Sequence, residues 1–377
     1  MRIGLLGHGV VGRGVTDILD SRTDGLAEVA KILVKDLGES EDSRHTVHAE
    51  EIVGDPSIDL VVECMGGLEP AHSLVRAALA SGKSVVTSNK KMFASYQKEL
   101  RGLAAAERKE LRCEACVGGG IPWIHELSRT RRIDSISSFR GILNGTTNQI
   151  LYGMAASGAG FGEMLREAQR LGYAEQDPSD DIDGMDVRYK VCISIAEAFD
   201  LLIDPAGIPA FGIRHITAGE ISWAAAHGRT VKLIGRACMQ DGRLSALVMP
   251  MMLKDEDPFS RVPLNFNEIE LAGTTLGTAA FYGQGAGSLP TAHAVVQDIL
   301  DIASGIAAGP RRMQEGTVDL SGSEGIYYVR TAHPELYAGM KTEEAMPGAF
   351  LTERVSCREM AERAGQDDSC FLAEVEE

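Results

Sequence analysis

No stretch of the chain approaches the run of about 20 apolar residues that a membrane-spanning helix needs. The opening MRIGLLGHG reads at once as a strand and a turn, not as a cleavable signal. No membrane partner is expected, and a cytoplasmic location is. Basic charge is in deficit, with 37 Lys and Arg against 54 Asp and Glu, a net −17. This balance excludes nucleic acid as an expected partner, because such binding rests first on cations that neutralise phosphates. A disulfide framework is missing too: Cys64, Cys113, Cys116, Cys192, Cys238, Cys357 and Cys370 are odd in number and scattered, so reduced thiols are expected. Cys113 and Cys116 form a lone C-x-x-C without a second pair, and read as two half-buried strand residues rather than half a metal site. His45 and His48, in a polar stretch, read as surface loop residues. Neither an internal repeat nor a low-complexity tract is found.

What is present is an ordinary globular composition, 44% hydrophobic and 24% charged over 377 residues, enough for two or three domains. The first half alternates short apolar runs (RIGLLG, EVAKILV, IDLVVECMGG, SVVTSNK) with helix-like stretches. That alternation predicts a parallel sheet with crossover helices, ending near LRCEACVGGG. From Ile121 the pattern changes to a mixed α+β arrangement, including a hairpin VKLIGRACM-QDGR-LSALVMPMM turned at Asp241-Gly242. A Gly-rich loop, YGQGAGSLP, opens the amphipathic helix TAHAVVQDILDIASG. The fold class expected is α/β, a Rossmann-type doubly wound parallel sheet followed by a mixed α+β domain. The boundaries expected are 1–120 for dinucleotide binding, 121–310 for the second domain, whose last helix packs back on the first, and 311–377 as a short polar tail.

Gly7-His8-Gly9-Val10-Val11-Gly12 is a full G-x-G-x-x-G directly after a strand and before a helix. Its glycines serve a tight turn, close approach of the backbone to a pyrophosphate, and close helix–strand packing, with the phosphates over the helix N-terminus. Gly7, Gly9, Val10, Val11 and Gly12 are therefore expected cofactor contacts. At the end of the second strand, Lys35 would accept a ribose 2′-phosphate and Asp36 would grip a 2′-hydroxyl. NADP through Lys35 is preferred, and NAD is the alternative.

Four further motifs follow in order: TSNK (Thr87 to Lys90), CEACVGGGIPW (Cys113 to Trp123), GILNGTTNQIL (Gly141 to Leu151) and AQRLGYAEQDPSDDIDGMDVRYK (Ala168 to Lys190). Oxidising an alcohol needs a hydride acceptor, a group to take the hydroxyl proton, and contacts for the substrate's charged ends. Glu175, Asp180, Asp181, Asp183 and Asp186 can hold a cationic group, and Lys190 can exchange a proton. Asp186 and Lys190 stand four apart on a helix over Met185 to Phe199. By themselves they read as a surface ion pair, but the helix continues as VCISIAEAF, too apolar for a free surface helix. Asn144 to Asn148 read mainly as a helix cap.

Together the motifs resemble homoserine dehydrogenase from the first strand to about Ile302. The resemblance implies reversible oxidation of L-homoserine to L-aspartate 4-semialdehyde with NADP or NAD, run as reduction in threonine, methionine and isoleucine biosynthesis, by a homodimer built through the second domain. It implies Lys190 as general acid/base, Asp186 as its orienting partner and substrate contact, Glu175 and Asp181 as substrate ligands, and Lys90 as a second lysine between nicotinamide and substrate. It adds Lys90, Gly172 and Gly285 to the cofactor contacts. It also implies a monovalent cation (sodium) held by Glu114 and the carbonyls of Val117, Gly119 and Ile121; the motif alone reads equally well as a turn that makes space for cofactor. Two features depart from the family: Tyr189, not an arginine, precedes Lys190, and only GIYYVR hints at the ACT-type regulatory domain of many relatives. Feedback by threonine is accordingly not expected.

Overall fold

A computed structural model describes residues 1–38, 42–307 and 311–377, so the expected boundary at 310 lies outside the described residues. The chain divides into two compact units, and each is taken by itself. The first comprises Met1–Arg132, Ile193–Leu202 and Gln284–Gln314. Its sheet runs β1 (Arg2–Leu6), β2 (Glu28–Leu33), β3 (His45–Thr46), β4 (Leu60–Glu63), β5 (Ser84–Thr87) and β6 (Leu111–Arg112). The spatial order is β3-β2-β1-β4-β5-β6 with every pairing parallel, the doubly wound arrangement expected. A parallel sheet buried on both faces requires near-continuous apolar strands, and Ile3, Leu5, Leu6, Leu60, Val61 and Val62 are all fully buried. The order reverses beside β1, which directs a dinucleotide to the C-terminal ends of the strands there.

The expected boundary after 120 is not where the contacts divide. Helix Ser288–Ala303 lies on helix Val10–Asp20, where a Cβ on Gly14 would stand 2.8 Å from Ala292 Cβ. Asp298 on that helix also accepts the Glu114 backbone N–H at 2.9 Å. The return of this helix depends on a glycine notch and a buried carboxylate far apart in sequence.

The second unit comprises Ile133–Cys192, Ile203–Gly283 and Glu315–Glu377. Its mixed sheet begins Gly277–Gln284, Phe266–Gly273, Ile136–Ile142, Arg229–Gln240, Arg243–Lys254. The hairpin turns where expected, with Asp241 and Gly242 at φ 50° and 73°, both signs a two-residue turn of matching twist requires. The same sheet continues through Phe371–Val375, Glu324–Arg330, Ala349–Thr352 and Lys341–Met346. Residues 311–377 are thus not a tail. Four of these strands, with a one-turn 3₁₀ segment Pro334–Tyr337 and the helix Cys357–Ala364, follow the β-α-β-β-α-β order of the split ferredoxin-like motif. They join the larger sheet through parallel pairing of Met251 with Glu374 and Met252 with Val375. Each element is short, and its apolar residues (Tyr327, Val329, Phe350, Leu372) complete a core only with Leu247, Met249 and Phe259 of the main sheet. That sharing hid the subdomain from a sequential reading. Among the described residues no helix is long and apolar enough to cross a membrane.

Candidate active site

In the first unit, β1 is followed by Gly7 at φ 96°, a conformation that costs glycine least. A Cβ on Gly12 would stand 2.1 Å from the Gly7 carbonyl oxygen, so only glycine lets the helix leave so tightly. Gly9 is the helix N-cap without a side-chain cap, and a Cβ there would meet nothing within 4 Å. The first-turn N–H groups therefore face open space, a cradle suited to a pyrophosphate. Val10 is 70% exposed at the rim and Val11 is half-buried. The Gly-rich loop before Ser288 returns here: Ser288 Oγ donates to the Val10 carbonyl at 2.7 Å. Lys35 and Asp36 are both exposed after β2, so either can meet a ribose.

His45 is not a bystander in a surface loop. Its Nε2 lies 3.1 Å from His8 Nδ1, inside the G-x-G-x-x-G segment, and His8 Nε2 lies 3.2 Å from Thr16 Oγ1. Thr16 Oγ1 donates to the Arg13 carbonyl, so it must accept from His8 Nε2–H, which leaves His8 Nδ1 to accept from His45. Burial lowers the His8 pKa, with the neighbouring His45 and Arg13 acting in the same direction. A strand two residues long, carrying one functional histidine, offers no periodicity from which this could be read.

Lys90 opens the helix Lys90–Glu107, just after its N-cap Asn89, whose side chain accepts the Met92 N–H at 3.1 Å. In the V-G-G-G segment, a Cβ on Gly119 would fall 2.5 Å from the Gly285 carbonyl carbon, and Gly120 N–H donates to the Gln284 carbonyl at 3.1 Å. The structure thus brings the two glycine loops of the first unit together. Glu114 is buried and accepts from the Ile124 and His125 N–H groups at 3.2 and 2.7 Å. Burial, and then the neighbouring Asp298 carboxylate, push Glu114 well above the usual carboxyl range, while burial raises Asp298 to about 7. His125 stands 3.2 Å from Glu114 and 3.0 Å from Asp301. A buried pair of carboxylates beside backbone carbonyls is a donor set that fits a hard monovalent cation. The Ile121 carbonyl accepts the Trp123 N–H at 2.8 Å and keeps a lone pair, while Val117 and Gly119 belong to the same turn. Cys113 and Cys116 are buried free thiols, and among the described residues no three His, Cys, Asp or Glu side chains converge as a metal site.

In the second unit, Lys190 and Asp186 are 7% and 4% exposed, which rules out the surface ion pair. Lys190 Nζ donates to Asp186 Oδ2 at 2.7 Å and to the Leu143 carbonyl at 2.6 Å. The neighbouring helix residues Val187 and Val191 are fully buried, so this apolar face carries the pair into the unit. Asn144 does cap the helix Gly145–Ser157, accepting the Thr147 N–H at 2.8 Å. Its Nδ2 does more: it donates to Asp181 Oδ1 at 2.7 Å and to Asp186 Oδ2 at 2.8 Å. One side chain therefore gathers both carboxylates beside the lysine. The capping reading concealed this second role, since only the amide end is visible as a cap signal in NGTTN. Glu175 and Gly172 lie in an exposed turn, with Gly172 at φ 77° and the Tyr173 carbonyl accepting from Thr146 Oγ1 at 2.7 Å. A cavity of about 620 Å³ lies on another face of the same sheet, but its Arg236 is spent on Glu374 and its Arg140 on Glu270. It is no part of this cluster.

Comparison with known proteins yields a consistent set of matches. A model described as the NAD binding domain of homoserine dehydrogenase matches residues 7–114, and one described as homoserine dehydrogenase matches residues 122–300. The chain is 37% identical to a homoserine dehydrogenase of Bacillus subtilis over 82% of its length and 74% of the relative's. It is 40% identical to one of Synechocystis over 80% of this chain and 73% of that relative. A solved homoserine dehydrogenase from Thiobacillus denitrificans superposes with a TM-score of 0.87 at 30% identity, covering 100% of this chain and 98% of the other. One from S. aureus gives 0.79 at 30% identity, covering 100% and 98%.

Proposed function

The chain belongs to the homoserine dehydrogenase family, and on that premise we propose that it interconverts L-homoserine and L-aspartate 4-semialdehyde with Lys190 as the proton donor and acceptor. The buried Lys190–Asp186 pair carries this reading. Bound in the Gly7–Gly12 cradle, the nicotinamide dinucleotide supplies or accepts the hydride. Everything else falls to side chains of the chain itself.

Lys190 is held between a carboxylate and a carbonyl oxygen, both acceptors. Such an environment favours the ammonium form. An ammonium suits the reductive direction, in which Lys190 gives a proton to the aldehyde oxygen as the carbonyl carbon receives hydride. In the oxidative direction the neutral amine takes the hydroxyl proton and returns to the ion pair. Asp186 orients Nζ and contacts substrate. Asp181, half-buried and tied to Asn144, is assigned to the substrate ammonium. Glu175 and Gly172, in their exposed turn, are assigned to the substrate and cofactor respectively on the family motif alone. Lys90, at a helix start after β5, contributes a second cation near the nicotinamide and substrate. Lys35 favours NADP over NAD. Glu114 with the Val117, Gly119 and Ile121 carbonyls holds a sodium ion.

The reading extends to a cytoplasmic homodimer built through the second unit and serving threonine, methionine and isoleucine biosynthesis. The test is an assay of purified protein with homoserine and each of NAD and NADP, alongside Lys190→Ala. The variant should lose most turnover while binding cofactor within about twofold of the parent. Full activity in that variant would overturn the role of Lys190, and no activity of the parent on homoserine would overturn the substrate.

A further inference from the structure

Glu63, the last residue of β4, is completely buried. Thr87 Oγ1 donates to its Oε2 at 2.6 Å, the Met65 N–H donates to Oε1 at 2.8 Å, and Asn89 Nδ2 approaches Oε1 at 3.5 Å. Thr87 also accepts the Asn89 N–H at 3.0 Å, so its own proton is committed to Glu63. All of these partners are donors, the set a carboxylate needs and an acid does not. Burial draws the group towards its neutral form, and these hydrogen bonds oppose it. Among the described residues, no Lys, Arg or His forms an ion pair with it. A buried carboxylate without a cation is costly, and glutamine would bridge the same strands without that cost.

The position of this anion gives it a use. The pyrophosphate cradle stands at the end of β1, and the adenosine ribose is met at the end of β2. In the order β3-β2-β1-β4-β5-β6 the other half of the dinucleotide therefore extends to the β4 and β5 side, where Glu63 and Thr87 pair across the two strand ends. Just beyond Glu63, Gly66 and Gly67 have φ of 78° and 72°, and a Cβ on Gly66 would meet nothing within 4 Å. Gly66, whose backbone N–H also bonds the carboxylate, thus borders open space. A nicotinamide ring carries a positive charge only in its oxidised form. We propose that Glu63 is a positioning residue that supplies a fixed negative charge on the nicotinamide side, so that the oxidised cofactor is held in preference to the reduced one.

This inference rests on nicotinamide-dinucleotide binding by the first unit. Its size follows from two unit charges roughly 10 Å apart through an effective dielectric of about 20 to 40, a factor of roughly four to fifteen in the ratio of the two affinities. The test is Glu63→Gln in the full chain, with dissociation constants measured calorimetrically for NADP, NADPH and 2′-phospho-ADP-ribose, and for NAD, NADH and ADP-ribose in parallel. The oxidised form should weaken roughly four- to fifteenfold relative to the reduced form, and the ligands lacking nicotinamide should bind as before. Equal weakening of both redox forms, the result of a purely structural tie between β4 and the Thr87 turn, would overturn the proposal, as would an unchanged ratio. Failure of the parent to bind any of the six ligands would instead remove the dinucleotide reading beneath it. Should the glutamine variant not fold, Thr87→Val keeps the charge but removes one donor. Its preference for the oxidised form should match the parent at pH 9 and fall below it at pH 6, and a ratio identical to the parent's at both values overturns the assignment.

Discussion

Asn144→Asp separates the two tasks that Asn144 performs. The replacement keeps the oxygen that caps the helix through Thr147 but turns the Nδ2 donor into an acceptor, placed 2.7 and 2.8 Å from carboxylate oxygens of Asp181 and Asp186. A hydrogen bond to a charged group contributes about 1.5–3 kcal/mol. Water can replace the one to half-buried Asp181 in part, but Asp186 is only 4% exposed and has no such recourse. The expected loss is therefore about 2–4 kcal/mol at pH 8, seen as a lower urea midpoint. Asn144→Ala loses the same bonds and about 1 kcal/mol of capping, but gains no repulsion. The pH dependence distinguishes them. Like charges raise the folded-state pKa of a carboxyl at 144 above its unfolded value, so its penalty is full above that raised pKa and is relieved as pH falls through it. Asn144→Asp should recover stability between pH 8 and pH 5 relative to Asn144→Ala. The added anion should also move the alkaline rise of homoserine oxidation upward. Two variants with the same midpoints at both pH values, and an unmoved rate profile, would refute the view that Asn144 gathers the carboxylates.

Three further outcomes follow from single observations. Gly12→Ala forces a Cβ to 2.1 Å from the Gly7 carbonyl oxygen, and the loop must open; at about 1–3 kcal/mol of overpacking, dinucleotide affinity should fall roughly ten- to a hundredfold in a calorimetric titration. Lys35→Ala should weaken NADP about tenfold or more while sparing NAD, and Asp36→Ala should do the reverse; equal effects on the two cofactors would show that neither reads the ribose. Lys232, bonded to Asn148 Oδ1 at 2.8 Å and the Val262 carbonyl at 2.6 Å, is lowered by burial to about 8 from 10.5. The unfolded chain then binds more protons between those values, so this residue should add up to about 3 kcal/mol of stability as pH rises from 8 to 10.5. Chemical unfolding across that range should show the slope in the parent and not in Lys232→Met.

The second unit shows why some of the site was legible and some was not. Asp186 and Lys190 could be paired from their spacing on one helix, because i and i+4 residues are neighbours wherever a helix forms. Whether the pair was solvated or buried depended on Leu143 and Asn144, which arrive from 47 and 42 residues earlier in the chain, and on strand Arg229–Gln240, which comes later. Glu63 escaped notice for a related reason. At the end of the apolar run IDLVVE it looks like the polar stop of a strand, and its partners Thr87 and Asn89 lie one crossover away.

The sequence by itself determined what local periodicity and backbone stereochemistry can carry: a βαβ alternation, glycines where a Cβ would strike a carbonyl, a two-residue hairpin turn, and an ordered set of motifs that points to one family. Tertiary structure alone decided the rest. It set the Gly14 contact through which helix Ser288–Ala303 lies in the first unit, and made residues beyond Glu315 into strands of a shared sheet. It also joined His45 to the phosphate loop, left Glu63 as a buried carboxyl among hydrogen-bond donors, and gave Asn144 two carboxylates to hold. The physical reason is common to all five. A side chain's charge, burial and hydrogen bonds are set by groups near it in space, and these come mostly from parts of the chain far away in sequence.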